Sequence, residues 1–138
     1  STVALEDVID IMLDYDHAPR TVDLFRRITG LKIYAIGSMP FFYKIDNEIY
    51  LFKPEFATST NIIPENVPRE PVPPYTLAIT NDARKSCGMA GVRSVTNEEY
   101  GPTGEPFEGT NVIGTVLDTG KLPLIKDGST VFIREVKP

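Results

Sequence analysis

The residues able to do chemistry in this chain are few and scattered. His17 is the only histidine and Cys87 the only cysteine, which excludes an internal disulfide and leaves no thiolate zinc set. His17 stands in a turn ahead of a helix and reads as an exposed side chain. Cys87, with no second histidine to pair, reads as a small inert one. The glycines at 101, 104 and 109 have the look of a phosphate cradle, but Glu98, Glu99, Glu105 and Glu108 surround them and no P-loop lysine follows. Those glutamates match no known cation loop, so no metal is expected. Arg84 and Arg93 are of the type that holds a carboxylate or a backbone carbonyl, and Tyr100 and Asn111 can add hydrogen bonds. The alternative for all four is that they pin loops together. Phe107, in a loop rich in Gly and Pro, is a candidate partner-contacting aromatic.

The elements that must position these groups follow from periodicity. Val8, Ile9, Ile11, Leu13 and Tyr15 give an alternating strand that breaks at Asp16-His17-Ala18-Pro19 and hands directly to a helix carrying Val22, Phe25 and Ile28. Pro19 suits the first helical position and Gly30 the position just past the end. Residues 32–36, 41–45 and 48–52 follow as short strands. The first ends at Gly37-Ser38, and the last two are joined by a hairpin turn at Asp46-Asn47. Six of the twelve prolines fall between Pro54 and Pro74. Each removes a ladder donor, so residues 53–74 are a surface loop or an edge, read here as a stiff connector. Strands are predicted at 75–80, 91–95, 112–117 and 129–136, with a loop over 97–109 and a short half-helix ending at Asp127-Gly128. About eight short strands with one main helix, near residues 19–29, predict a mostly β, closed barrel.

Composition bounds the role. The 138 residues fit one domain. A net charge of −5 supplies no basic field for nucleic acid or an anionic membrane surface. No apolar run reaches the roughly 20 residues of a membrane span and no signal-peptide pattern opens the chain, so the expected location is cytoplasmic. Ser1 in place of an initiator Met is accounted for by processing or by excision from a longer protein.

Several motifs resemble those of cyclophilins. Ala18-Pro19-Arg20-Thr21-Val22-Asp23-Leu24-Phe25 is similar to their opening helix. Leu77-Ala78-Ile79-Thr80-Asn81, with Gly88 at the matching distance, resembles L-x-M-A-N followed by G-S-Q-F-F, and Asn111-Val112-Ile113-Gly114-Thr115-Val116 resembles V-V-F-G-x-V. The resemblance implies an eight-stranded barrel whose helix plugs one end, and prolyl isomerase chemistry. Rotation about an X-Pro bond crosses about 18–20 kcal/mol because amide resonance is lost at the twisted geometry. Cyclophilins stabilise that geometry with an arginine in an F-H-R-[VI] strand beside an apolar groove. Here Phe42-Tyr43-Lys44-Ile45 resembles that strand, so Lys44 is the catalytic candidate and Phe42 a groove residue. A lysine lacks the planar fork of arginine. The groove Gln and two Phe correspond to Ala90, Gly91 and Val92, the groove histidine to Thr110, and the chain has no Trp. Isomerase activity is therefore expected to be weak or absent, with a binding module as the main reading and a divergent isomerase as the alternative.

A narrower resemblance rests on the run Gly101-Pro102-Thr103-Gly104-Glu105-Pro106-Phe107-Glu108-Gly109-Thr110-Asn111, with Pro64-Glu65-Asn66-Val67-Pro68, Arg84-Lys85 and Gly91-Val92-Arg93. These are similar to the C-terminal, cyclophilin-like part of the methanogenesis marker protein 3 family of methanogenic archaea, whose members are longer. That resemblance implies an association with methanogenesis and a protein partner in the machinery that activates methyl-coenzyme M reductase. No cofactor is expected. The expected groove or binding residues are Phe42, Arg84, Arg93, Tyr100, Phe107, Thr110 and Asn111.

Overall fold

A computed structural model describes residues 3–54 and 61–137. Seven strands close into a barrel in the order β1-β6-β4-β5-β3-β2-β7, with β7 returning to β1. They are β1 (Val8–Leu13), β2 (Ile36–Ile45), β3 (Ile49–Phe52), β4 (Thr76–Thr80), β5 (Ala90–Arg93), β6 (Thr110–Val116) and β7 (Thr130–Glu135), with one α-helix, α1 (Pro19–Thr29). Every neighbouring pair is antiparallel except β1 and β7. Closure leaves no free edge among the seven described strands.

The count is seven rather than about eight because the break expected at Gly37-Ser38 does not occur. β2 runs through both residues and through Pro40. Gly37 is there for close approach: a Cβ on it would lie 2.8 Å from both the Leu31 side chain and the Thr29 carbonyl oxygen. Residues 32–34 instead form a turn on the helix end, with the Ile33 and Tyr34 N–H groups both donating to the Gly30 carbonyl. Pro40 is accommodated next to a register shift between Phe41 and Tyr43, where a ladder donor is dispensable.

α1 starts at Pro19 and ends at Gly30 in the left-handed region (φ 92°), the asymmetry its sequence predicts. Its buried residues Val22 and Phe25 are wholly enclosed and join the core made by Ile9, Ile11, Leu13, Leu77, Ile79, Val92, Ile113 and Ile133. The helix so caps an end of the barrel, and each such side chain contributes roughly 1.5–3 kcal/mol by leaving water. Leu122, from the 3-10 helix Thr119–Leu124, enters the same core. The β2–β3 hairpin turns at Asp46 and Asn47, both at positive φ (52° and 51°), the pair of angles a two-residue turn of this hand requires.

The Pro-rich segment is fastened to the barrel in its described part. Ile62 is buried in the core, and Val72 pairs with Asn97. Residues 55–60 of the connector predicted over 53–74 lie outside the described residues.

Candidate functional site

Lys44 stands opposite Tyr50 in the β2–β3 ladder. Directly opposed residues share a face of the sheet, and Tyr50 belongs to the core, 1% exposed. Lys44 is therefore on the barrel-facing side, and its Nζ donates to the Pro123 carbonyl at 2.8 Å, tying β2 to the 3-10 helix. The outward row across the sheet is Tyr43, Leu51, Gly91 and Ala78. Ala90 and Val92, on either side of Gly91, face the core and are fully enclosed, so neither lines an external groove.

The structure brings Arg84, Tyr100, Phe107, Thr110 and Asn111 into one neighbourhood, around loop 97–109. Arg84 Nη2 donates to Glu108 at 2.6 Å, and its Nε lies 3.6 Å from a Glu105 oxygen. Ser86 Oγ donates to Glu105 at 3.0 Å. Arg84 also packs on Gly109, where a Cβ would meet its Cγ at 2.5 Å. Thr110 is buried and donates to the Pro106 carbonyl at 3.1 Å. Tyr100 bridges to Pro106 through the backbone with its ring half exposed, and Phe107, half-buried, opens the 3-10 helix Phe107–Gly109.

Asn111 has spent its whole hydrogen-bonding capacity. Its Oδ1 accepts from the Glu65 N–H (2.9 Å) and Asn81 Nδ2 (3.0 Å), while its Nδ2 donates to Thr21 Oγ1 (3.1 Å) and the Ile63 carbonyl (2.9 Å). That network joins β6 to α1, to the Pro-rich segment and to the end of β4. Glu65 was not singled out as a site residue by the sequence. Its carboxylate accepts the N–H groups of Arg20 (3.2 Å) and Thr21 (2.8 Å) and the Thr21 hydroxyl (2.8 Å), capping α1, whose own N-cap residue Ala18 offers no side-chain acceptor. The one sequence signal was its place in the Pro64–Pro68 run.

Arg93 and Phe42 lie apart from this neighbourhood. Arg93 donates through Nε (3.0 Å) and Nη2 (2.6 Å) to one oxygen of Glu48 beside the β2–β3 turn. Phe42, at the register shift, is 44% exposed, with Lys53 Nζ 5.0 Å above its ring and Tyr43 edge-on at 4.6 Å. Lys53 and residues 85–89, with Pro40 and Pro54, wall an open cleft of about 760 Å³. Cys87 faces it, and burial pushes its thiol above the ordinary range, so the reactive thiolate is disfavoured. His17 is exposed with Nδ1 3.0 Å from both Asp14 oxygens. Among the described residues no three His, Cys, Asp or Glu side chains converge to hold a metal ion, and no helix is long and apolar enough to cross a membrane.

With this geometry in hand, the chain compares with known proteins as follows. Residues 9–136 match a family described as "Putative peptidyl-prolyl cis-trans isomerase domain". The chain belongs to this family. It is also 40% identical over 136 residues to a UPF0288 protein of Methanothermobacter thermautotrophicus, covering 96% of this chain and 26% of that one. UPF0288 proteins of Methanosarcina mazei (38% over 136 residues, 97% and 26%) and Methanopyrus kandleri (40% over 137 residues, 96% and 27%) match likewise. The isomerase-like domain thus spans about a quarter of the length of these relatives from methanogens. A solved structure of a conserved Enterococcus faecalis protein of unknown function shares the fold, with a TM-score of 0.52 at 17% identity over 96% of this chain and 31% of that one. The cyclophilin-like, UPF0288-type domain expected from the motifs is the one found.

Proposed function

We propose that this isomerase-like domain is a peptide- or partner-binding module associated with methanogenesis, with weak or no prolyl isomerase activity of its own. The observation that carries this reading is the state of its candidate cations. Lys44 is held by the Pro123 carbonyl, Arg84 by Glu108 and Glu105, and Arg93 by Glu48. Twisting a prolyl bond calls for an uncommitted, preorganised charge beside an apolar pocket. Each of the three would have to leave its partner before serving, and Lys44 would have to leave its face of the sheet as well. The UPF0288 relatives named above come from methanogens, which supports the association with methanogenesis. We infer a cytoplasmic location and a protein partner in the machinery that activates methyl-coenzyme M reductase, with Arg84, Tyr100, Phe107 and Thr110 nearest the contact and Phe42 and Arg93 beyond it.

A second reading, a divergent peptidyl-prolyl isomerase using Lys44, is favoured by the family match over residues 9–136. One experiment separates the two. Exchange between the cis and trans forms of an Ala-Pro peptide, which takes tens to hundreds of seconds uncatalysed, is followed by NMR with substoichiometric protein. The binding reading expects acceleration below about tenfold, meaning less than about 1.4 kcal/mol removed from the barrier. Faster exchange that disappears in Lys44→Ala would establish the isomerase instead.

A further inference from the structure

The outward face of β5 at Gly91 is covered by the chain's own Pro102-Thr103, through the Pro102 carbonyl and the Thr103 methyl. Gly101-Pro102-Thr103 lies between Gly91 on β5 and Thr110 at the start of β6. A Cβ on Gly91 would stand 2.8 Å from the Thr103 methyl and 3.0 Å from the Pro102 carbonyl oxygen, and a Cβ on Gly101 would run into the Thr110 side chain, 2.6 Å from its methyl. Gly91, Gly101, Pro102 and Thr110 are all buried. A glycyl-prolyl unit is seated against the barrel with no space for a side chain on the residue ahead of the proline.

The seated segment is a self-contained turn. The Gly101 N–H donates to the Glu105 carbonyl at 2.7 Å, the Gly104 N–H to the Gly101 carbonyl at 2.9 Å, and Gly104 adopts φ 89°. A turn that carries its own hydrogen bonds keeps them when it moves. The Gly101–Glu105 turn is tied to the barrel by side chains, from Arg84 and Ser86 to Glu105, and Arg84 also holds Glu108. The base of the loop stays anchored by Asn81, which donates to the Glu108 and Gly109 carbonyls, and by Thr110, which donates to the Pro106 carbonyl. The closed arrangement also leaves polar atoms unmet. Among the described residues, the buried side-chain nitrogen and oxygen atoms without a hydrogen-bond partner are Asn97 Oδ1, Thr103 Oγ1 and Arg84 Nε, the last of which has only the charge of Glu105 at 3.6 Å. All three lie in this loop or in the arginine that latches it, and Asn97 is only 2% exposed. Orphaned buried groups disfavour the state that contains them.

We propose that the face of β5 at Gly91 is a proline-peptide site occupied by the chain's own Gly101-Pro102-Thr103, and that an external glycyl-prolyl segment binds there in exchange for the loop once Arg84 releases Glu105 and Glu108. This rests on the peptide-binding reading above. It adds a ligand class, in which glycine ahead of proline is required by Thr110, and a control, in which the loop competes with the ligand.

The test is a titration of the isotope-labelled chain with acetyl-Gly-Pro-Thr-amide, and in parallel with acetyl-Leu-Pro-Thr-amide, for wild type, Arg84→Ala and Glu108→Gln. Cutting the latch raises the fraction of molecules with an open site, and the apparent dissociation constant falls in proportion, by about tenfold for Arg84→Ala and about threefold for Glu108→Gln. Shifts are expected at Gly91, Thr110 and residues 101–106, with the Leu-Pro peptide binding more weakly. If Arg84→Ala does not fold, raising the salt concentration on the wild type and on Glu108→Gln weakens the same half-exposed ion pairs. Equal affinities across variants and salt, shifts elsewhere, or no binding by any variant overturn the proposal. Accelerated cis/trans exchange of the titrated peptide counts against the reading of weak or no catalysis, whereas loop resonances that stay in place count against self-occupancy. The two failures appear in different signals.

Discussion

Replacing Asn111 by Leu, which fills nearly the same volume without polar atoms, tests whether this residue holds the fold together or serves a ligand. Four hydrogen bonds vanish, but they are not equivalent. Asn81 keeps its bonds to the Glu108 carbonyl and the Ala83 N–H, and Thr21 keeps Glu65. The Glu65 N–H and the Ile63 carbonyl lose the partner that Asn111 supplied. An orphaned buried group costs about 1–3 kcal/mol. Because Ile63 is exposed and Glu65 half-buried, water can reach part of this site, and the lower half of that range applies to each, giving a total of about 2–4 kcal/mol. Against a typical stability of about 5–15 kcal/mol that is a large share, and at a few degrees per kcal/mol it lowers Tm by roughly 6–16 °C. The assay is urea unfolding followed by circular dichroism, with calorimetry for Tm, and the Gly-Pro titration repeated on the folded variant. A loss below about 1 kcal/mol together with abolished peptide binding would refute the reasoning and return Asn111 to the role of a ligand contact.

Two further outcomes are expected. Glu65→Ala removes the acceptor for the first turn of α1 and should cost about 1–2 kcal/mol, read as a lower urea midpoint, while Glu65→Gln, which keeps an acceptor oxygen, should lose less; equal midpoints for all three proteins would show that the carboxylate does not cap the helix. Burial first, and then the hydrogen bond to Glu135, push the Tyr15 phenol up to about 12. Since the folded value lies above the unfolded value near 10, its contribution is complete below about pH 10 and is lost as pH rises through about 12. Wild type should lose stability faster than Tyr15→Phe over that window, as measured by urea midpoints, and parallel curves would contradict the assignment.

The strand-to-helix unit, the helix ends at Pro19 and Gly30, the Asp46-Asn47 turn and most strand positions were legible in the sequence because each rests on local free energy: a side-chain period, a missing N–H, or a residue tolerant of positive φ. The neighbourhood of loop 97–109 was legible in part, through its Gly/Pro content and its acidic residues. What the tertiary structure decided was which face and which partner each residue received. Gly37 looked like a turn and is a point of close approach to Leu31 and Thr29. Lys44 looked like a groove cation, yet the β2–β3 register, with its shift at Phe41 and Tyr43, sets it opposite Tyr50 on the inner face. Glu65 caps a helix that begins more than forty residues earlier, and Pro102 covers Gly91. A one-residue change of register reverses every facing in a strand. Register here is fixed by closing seven strands around one core, an energy that belongs to the whole barrel and is written in no single stretch of the chain.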